Sequence, residues 1–503
     1  MPNTLSRNRS NRAAWCSLTL VSILTACTTT DGDRVPPPPS TAPFAGSPVA
    51  PRLYYVDGQI QQSPCTAYDP SNRTCGAGRE LAFNDLDAAN NMAQAGDVIV
   101  LRGGRYSTPI RPAASGTTQA PIKYVGQSGE VAAISVQDEP AIQLKGVQHI
   151  TISELVFRDS LGWGRLEDAH YNSLSANKFI EALARGTTGG LKLVRSHFNR
   201  LEKNSFYRGN DSIVLQESDH NLVAANHLEF ARHSLISIRC SNFNVIRANY
   251  LHNERQKAAE IYDCEGISDA PMRFDATKRN LFEGNNFAHV TGSSRPDKYN
   301  GIQYSQQLGI VRSNLFTDNE GGAIHFAVYE QEALYNYGNR VYANRFVANR
   351  CEAVSGASGT PLRAGDNRVF GNLFSGNTDC HGSLDNKPRA TIFTSDENID
   401  ARSGDDDLPL IWHARAQTSG TGRVMEVDDV LPLFDGFAIP GEVGDELELE
   451  NSGQTARLQQ IDYSARTLQF DRDLNWTAGS GIRITRQSLP DPGKALPMPV
   501  IRQ

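Results

Sequence analysis

The sequence predicts an all-β protein: a right-handed parallel β-helix (a solenoid) with a small C-terminal antiparallel β module. Three observations predict it. A six-residue phrase, Asn-x-apolar-x-x-Asn, runs from Asn221 to Asn226 and recurs at Asn244 to Asn249, Asn280 to Asn285, Asn339 to Asn344 and Asn367 to Asn372, with Gly309 to Asn314 as a variant. Successive starts lie 23, 36, 29, 30 and 28 residues apart, the length of one three-strand coil with or without a loop insertion. From Arg423 to Gln487 the pattern changes to short runs of period two, such as Gly444 to Glu450, Arg457 to Ile461 and Thr467 to Phe470, which read as antiparallel strands.

The coil reading has a direct physical basis. Strand side chains alternate faces, so the apolar positions of each phrase fill the coil interior. Asn at a corner tolerates left-handed backbone and caps neighbouring amides, and stacked corner Asn side chains can bond along the axis. A chain of 503 residues also exceeds one ordinary compact core, which favours an elongated repeat or two domains. Net charge is −7, so no nucleic-acid partner is expected, and a polyanionic partner would need a local basic groove. A monomer is expected.

The N-terminal residues have the layout of an export signal. Arg7, Arg9 and Arg12 precede an apolar stretch, Ala13 to Leu24, too short to span a bilayer as a helix. The stretch ends Leu24-Thr25-Ala26-Cys27, which resembles the lipobox of bacterial lipoproteins. That resemblance implies lipidation of Cys27, and Thr28 after it implies the outer membrane. Residues 1–26 are therefore read as a lipoprotein signal peptide, and 27–52 as the lipidated Cys with a stiff Pro-rich spacer. The β-helix with an N-terminal helix cap is placed at 53–410 and the β module at 423–487.

Six cysteines follow Cys27, an even number in an exported chain. Spacing favours three local bridges, Cys65–Cys75, Cys240–Cys264 and Cys351–Cys380, the last two about one coil apart; free buried thiols are the alternative.

The stretch Ala95 to Tyr106, followed by Ser115 to Thr117, Ala120 to Tyr124 and Ile150 to Phe157, resembles the opening of β-helix polysaccharide lyases of the chondroitinase B and alginate lyase type. The resemblance covers roughly 53 to 160 in wording and extends to about 400 in repeat style. It implies a short helix capping the cylinder, here Asn84 to Ala95, and activity on an acidic glycan. The Lys and Arg motifs of that lyase type are absent; the corresponding stretch reads Ser237-Ile-Arg-Cys-Ser-Asn242.

A β-helix binds long chains in a groove between projecting loops, and the longest insertions lie between Asn226 and Asn344. Aligning one strand on its isoleucines (Ile213, Ile236, Ile261, Ile302, Ile324) puts Val214, Ser237, Tyr262, Gln303 and His325 in an outward column, with Arg239 outward beside Ser237. A uronate lyase needs a carboxylate neutraliser, a base for the C5 proton and an acid for the leaving oxygen. Arg239, Tyr262, His325 and Lys257 are the catalytic candidates, and His233, Glu260, Lys298, Tyr299, Gln303, Tyr304 and Glu330 the substrate-binding ones. No metal ligand set is assigned, although Ca²⁺ would suit the carboxylates. The leading expectation is a lyase-type enzyme on a uronate-containing glycan. The alternatives are a non-catalytic glycan-binding or envelope-organising lipoprotein and a glycoside hydrolase working through two carboxylates.

Overall fold

The chain divides into two compact units, Met1–Val49 and Ala50–Gln503. The computed structural model describes residues 51–184, 189–262, 264, 277–292, 300–327, 336–356, 366–389, 393–401 and 408–485, all in the second unit. The signal peptide, Cys27 and most of the Pro-rich spacer lie outside the described residues.

Among the described residues, three long sheets wind around one core. The first sheet has sixteen strands and runs to Thr394–Asp396; the second has twelve, from Gly104–Tyr106 to Ile399–Asp400; the third has nine, from Pro140–Lys145 to Val354–Gly356. One coil contributes one strand to each, as in Leu222–Ala224, His227–Glu229 and Ile236–Arg239, before the chain returns to the first sheet at Val245–Arg247. Pairing between coils is parallel throughout. The chain is thus a parallel β-helix, right-handed as parallel crossovers are.

Burial follows the alternation. In three-residue strands the middle residue points inward: Val223, Ile246, Phe282 and Val311 in the first sheet, Leu228, Leu251, Phe287 and Phe316 in the second. Rings stack along the axis, Phe157–Phe179–Phe206 and Phe287–Phe316–Phe346–Phe374, with centroids 4.6–5.1 Å apart. Ile213, Ile236, Ile261, Ile302 and Ile324 all lie in this core.

The corners are held by Asn. One ladder runs Asn177, Asn204, Asn226, Asn249, Asn285, Asn314, Asn344, Asn372 and Asn398, each side-chain amide donating to the Oδ1 of the next. A second runs Asn172, Asn199, Asn221, Asn244, Asn280, with Gln306 standing in as the next acceptor. The two Asn residues of each phrase thus belong to different ladders and bracket one first-sheet strand. The expected left-handed residue is not the Asn itself. It is the residue before it: Ala225, Ala248, Ser313 and Ala343 have φ of 53–55°, and Gly284 and Gly371 sit at the same corner. The Asn is instead the hydrogen-bonding element, accepting the backbone N–H of the preceding coil's Asn as well.

The N-terminal end of the cylinder is capped. The helix spans Leu86–Met92, shorter than the expected 84–95; Asp85 caps it by accepting from the N–H of Ala88, and Leu86 and Ala89 pack on the first coils. A hairpin, Cys65–Asp69 and Thr74–Cys75, closes the leading edge of the first sheet. The disulfides Cys65–Cys75, Cys240–Cys264 and Cys351–Cys380 are all formed, which suits an oxidising compartment.

The C-terminal strands form a six-stranded antiparallel sheet, closed by the bridge between Ala416 and Val427, around Leu447, Leu458, Leu468, Phe470 and Trp476. It does not stand apart. The outward residues Leu222, Val245, Leu281, Ile310, Tyr342 and Phe370 of the first sheet are apolar and packed under Ile411, Phe434, Phe437 and Ile439. Buried ion pairs fix the docking: Arg312 grips Asp445 in bidentate fashion at 2.6 and 2.9 Å and Glu283 at 2.7 Å, while Arg247 bonds Glu283 at 2.8 Å and also Glu442.

The ladder predicts a graded response. Asn285→Ala removes two accepted and two donated buried hydrogen bonds and should cost at least about 2 kcal/mol. Asn398→Ala, at the half-buried end of the same ladder, should cost under about 1 kcal/mol. Thermal or denaturant unfolding of both variants checks this; equal losses would remove the ladder's claim to hold the corners.

Candidate functional site

The outer face of the first sheet is taken by the C-terminal module, which directs attention to the third sheet. Register fixes its outward columns. One column reads Gln143, Arg165, Lys192, Val214, Ser237, Glu260, Gln303, His325, Ser355. The other, two residues along, reads Lys145, Glu167, Val194, Gln216, Arg239, Tyr262. Consecutive members are one coil apart, about 4.8 Å.

This corrects the isoleucine alignment. Ala259, not Ile261, lies beside Ile236, so Glu260 follows Ser237 in the first column and Tyr262 lies beside Arg239 in the second. The shift is two residues, so Tyr262 still faces outward but has different neighbours. Its ring lies against the Arg239 guanidinium, 4.7 Å from centroid to Cζ. Tyr304 is also corrected. It points into the core, fully buried, and its hydroxyl donates to Asn339 Oδ1 at 3.1 Å. Gln303 is outward but only 8% exposed, and His325, also outward, contacts Ser355 Oγ at 2.9 Å through Nδ1. Lys298, Tyr299 and Glu330 fall outside the described residues.

The densest polar cluster sits where the coils enter the third sheet. Asp211 Oδ1 lies 2.7 Å from His233 Nδ1 and accepts the N–H of Ser234 at 3.1 Å. Glu260 Oε2 accepts the Ser234 hydroxyl at 3.0 Å and lies 3.6 Å from His233 Nε2, while Oε1 binds Lys257 Nζ. Asn253 holds the backbone by donating to the carbonyls of His233 and Lys257. Glu260 is fully buried and Asp211 nearly so, whereas about a third of the His233 side chain meets solvent. The hydrogen bond to Asp211 raises the His233 pKa above its ordinary value, against the cost of burial, and the charge of Glu260 adds to the rise.

Beside this cluster lies a cationic strip. Arg165 and Lys192 are adjacent in the first column, and Arg239 is close enough to disfavour the charge on Lys192. Burial, then the charges of Arg165 and Arg239, lowers the Lys192 pKa; Asp211 opposes this. Arg239 Nε is buried without a hydrogen-bond partner. Sequence reasoning missed Asp211, Arg165 and Lys192. Asp211 carried a signal: it lies 22 residues, one coil, before His233.

Among the described residues, no group of three or more His, Cys, Asp or Glu side chains is placed to hold a metal ion.

A family model described as "Periplasmic copper-binding protein (NosD)" matches residues 125–300, roughly a third of the chain. Curated proteins give no match. Similar solved structures include the GH136 lacto-N-biosidase from Eubacterium ramulus, 12% identical, covering 69% of this chain and 67% of its own, with a TM-score of 0.48. A rhamnogalacturonan lyase is 12% identical over 64% of this chain and 87% of its own, with a TM-score of 0.43. An alginate lyase from a Paenibacillus species is 16% identical over 62% and 94%, with a TM-score of 0.32.

Breaking a buried ion pair by removing one partner leaves the other charge stranded. Glu260→Ala, which strands Lys257, removes the acceptor of the Ser234 hydroxyl and takes away the carboxylate facing His233, should therefore cost about 3–5 kcal/mol. His325→Ala, half-buried and further along the same column, should cost under about 1 kcal/mol. Denaturant midpoints of the two variants, compared with the parent, test the ranking.

Proposed function

We propose that the protein is a carbohydrate-active enzyme that cleaves an acidic, uronate-containing glycan by β-elimination on the outer face of the third sheet. The observation that carries this reading is the meeting, in the outward columns of one sheet of a chain with net charge −7, of a cationic strip and an acid–base cluster whose His233 side chain is about a third exposed. Arg239, whose charge reaches Lys192, suits a substrate carboxylate, and a guanidinium binds such a group in bidentate fashion. Neutralising that carboxylate makes the C5 proton removable. Tyr262, whose ring lies against the Arg239 guanidinium, is our candidate for the base that takes it.

Glycan binding without turnover is the second reading, favoured by the engagement of Glu260 and His233 in internal hydrogen bonds. A hydrolase acting through two carboxylates is served less well, because Glu260 is fully buried and tied to Lys257, and its proposed partner Glu330 lies outside the described residues.

The test is a panel of uronic-acid polymers. Absorbance of the unsaturated uronate product should rise with at least one of them, and Arg239→Ala and Tyr262→Phe should each lower the rate at least about 100-fold with little change in melting temperature. New reducing ends without that absorbance mean hydrolysis, and retention on an immobilised glycan without either means binding alone.

We further propose that the protein is exported and anchored to the envelope through lipid on Cys27, with an outer-membrane address. Cys27→Ser should move it from the membrane fraction to the soluble fraction. Retention of the variant in membranes would remove the anchor.

A further inference from the structure

We infer that His233 is the general acid of this site, its Nδ1–H held by Asp211 as a positioning residue so that its Nε2–H is presented to the leaving oxygen. The inference rests on the lyase reading and assigns the proton donor that reading leaves open.

The geometry carries it. His233 stands at the entry to its strand and meets a carboxylate from each neighbouring coil. Asp211, from the preceding coil, is 2.7 Å from Nδ1, and Glu260, from the following coil, is 3.6 Å from Nε2. A histidine between two carboxylates is held as the imidazolium, which donates from both nitrogens. Asp211 is the fixed partner. It is almost completely buried, and its second bond, to the Ser234 N–H, ties it to the backbone that carries the ring. Glu260 is held by Lys257 and Ser234 and at 3.6 Å makes no hydrogen bond to Nε2, which leaves the Nε2–H for a ligand oxygen. The charged groups around the ring are Asp211, Glu260 and Lys257, with Lys192 bearing on Asp211. The rise in the His233 pKa agrees with this arrangement.

Tyr262 is the next outward residue after Glu260 on the same strand, two residues or about 6.6 Å along it. A sugar ring lying across that strand would have Tyr262 on one side and His233 on the other. In the elimination the C5–H proton passes to the Tyr262 phenolate oxygen. The electron pair of that bond forms C4=C5, the C4–O4 bond breaks, and O4 leaves with the proton from His233 Nε2. Tyr262 ends protonated and His233 neutral, and exchange with water restores both, so no further reactant is consumed.

Two measurements on the full chain test this. In the first, histidine labelled with ¹³C at Cε1 is titrated by NMR, with His233→Asn identifying the resonance. The midpoint should lie above the ordinary value of about 6.5 and should fall in Asp211→Asn. A midpoint at or below the ordinary value, or one unmoved in Asp211→Asn, overturns the inference. The second uses the uronan that the panel identifies. His233→Asn should lower kcat roughly 10²- to 10⁴-fold. Asp211→Asn should lower kcat at unchanged KM and move the alkaline limb of the pH profile to lower pH, which a purely structural loss would not do. A 4-deoxy-4-fluoro uronoside, whose fluoride leaves without a full proton, should be turned over by His233→Asn at close to the parent rate. An equal loss on fluoride and glycan, or none on the glycan, sinks the acid role while the lyase reading stands. A parent protein that cleaves no uronan sinks both.

Discussion

The structure depends on the corner amides of Asn. A coil that turns sharply three times must find partners for backbone groups that no sheet ladder reaches. Here the Asn side chain supplies them, accepting the N–H and side-chain amide of the coil before and donating to a carbonyl on that coil and to the Asn of the coil after. Each amide is useful only if the next coil places its own Asn at the same height. Register is therefore imposed at the corners, and the sheets inherit it. The left-handed residue before each Asn makes the turn; the Asn pins it.

With register set, the three sheet faces diverge in use. The outward face of the first sheet carries an apolar residue on each of six consecutive coils, Leu222 to Phe370, and is covered by the C-terminal module through Phe434, Phe437 and the Arg312–Asp445 pair. The second carries the His227–Glu229–His252 contacts, with Glu229 nearly buried between two imidazoles. The third keeps its cationic strip and the Asp211–His233–Glu260 cluster on one face, with Val214, Ser237 and Glu260 buried and part of His233 exposed.

Much of this was legible in the sequence, for a specific reason. The Asn phrase is a local consequence of a corner, so it can be read without knowing what lies above or below; the inward isoleucines follow from alternation alone. What depends on the neighbouring coil was harder. Ile261 looks like the counterpart of Ile236, yet Ala259 is, and nothing within the segment Ala259 to Tyr262 reveals the two-residue offset. Because the offset is even, inside and outside survived while the neighbours of Tyr262 and Glu260 changed. Tyr304 was named as a substrate-binding candidate although alternation from Ile302 places it inside, where its hydroxyl donates to Asn339. Asp211 was missed because it precedes its strand and becomes meaningful only when His233 arrives one coil later.

The docking of the C-terminal module has a consequence for how the chain assembles. Its contacts reach far back: Pro440 to Arg200 across 240 positions, Glu442 to Arg247 across 195, Asp445 to Arg312 across 133. Loop closure over such distances is slow, and the reward arrives only when the partner arginines already stand in line. Arg200, Arg247 and Arg312 stand on every second coil of the first sheet and come into line only after several coils have wound. The module can therefore engage only coils that are already wound in register, as a latch closes on a finished cylinder.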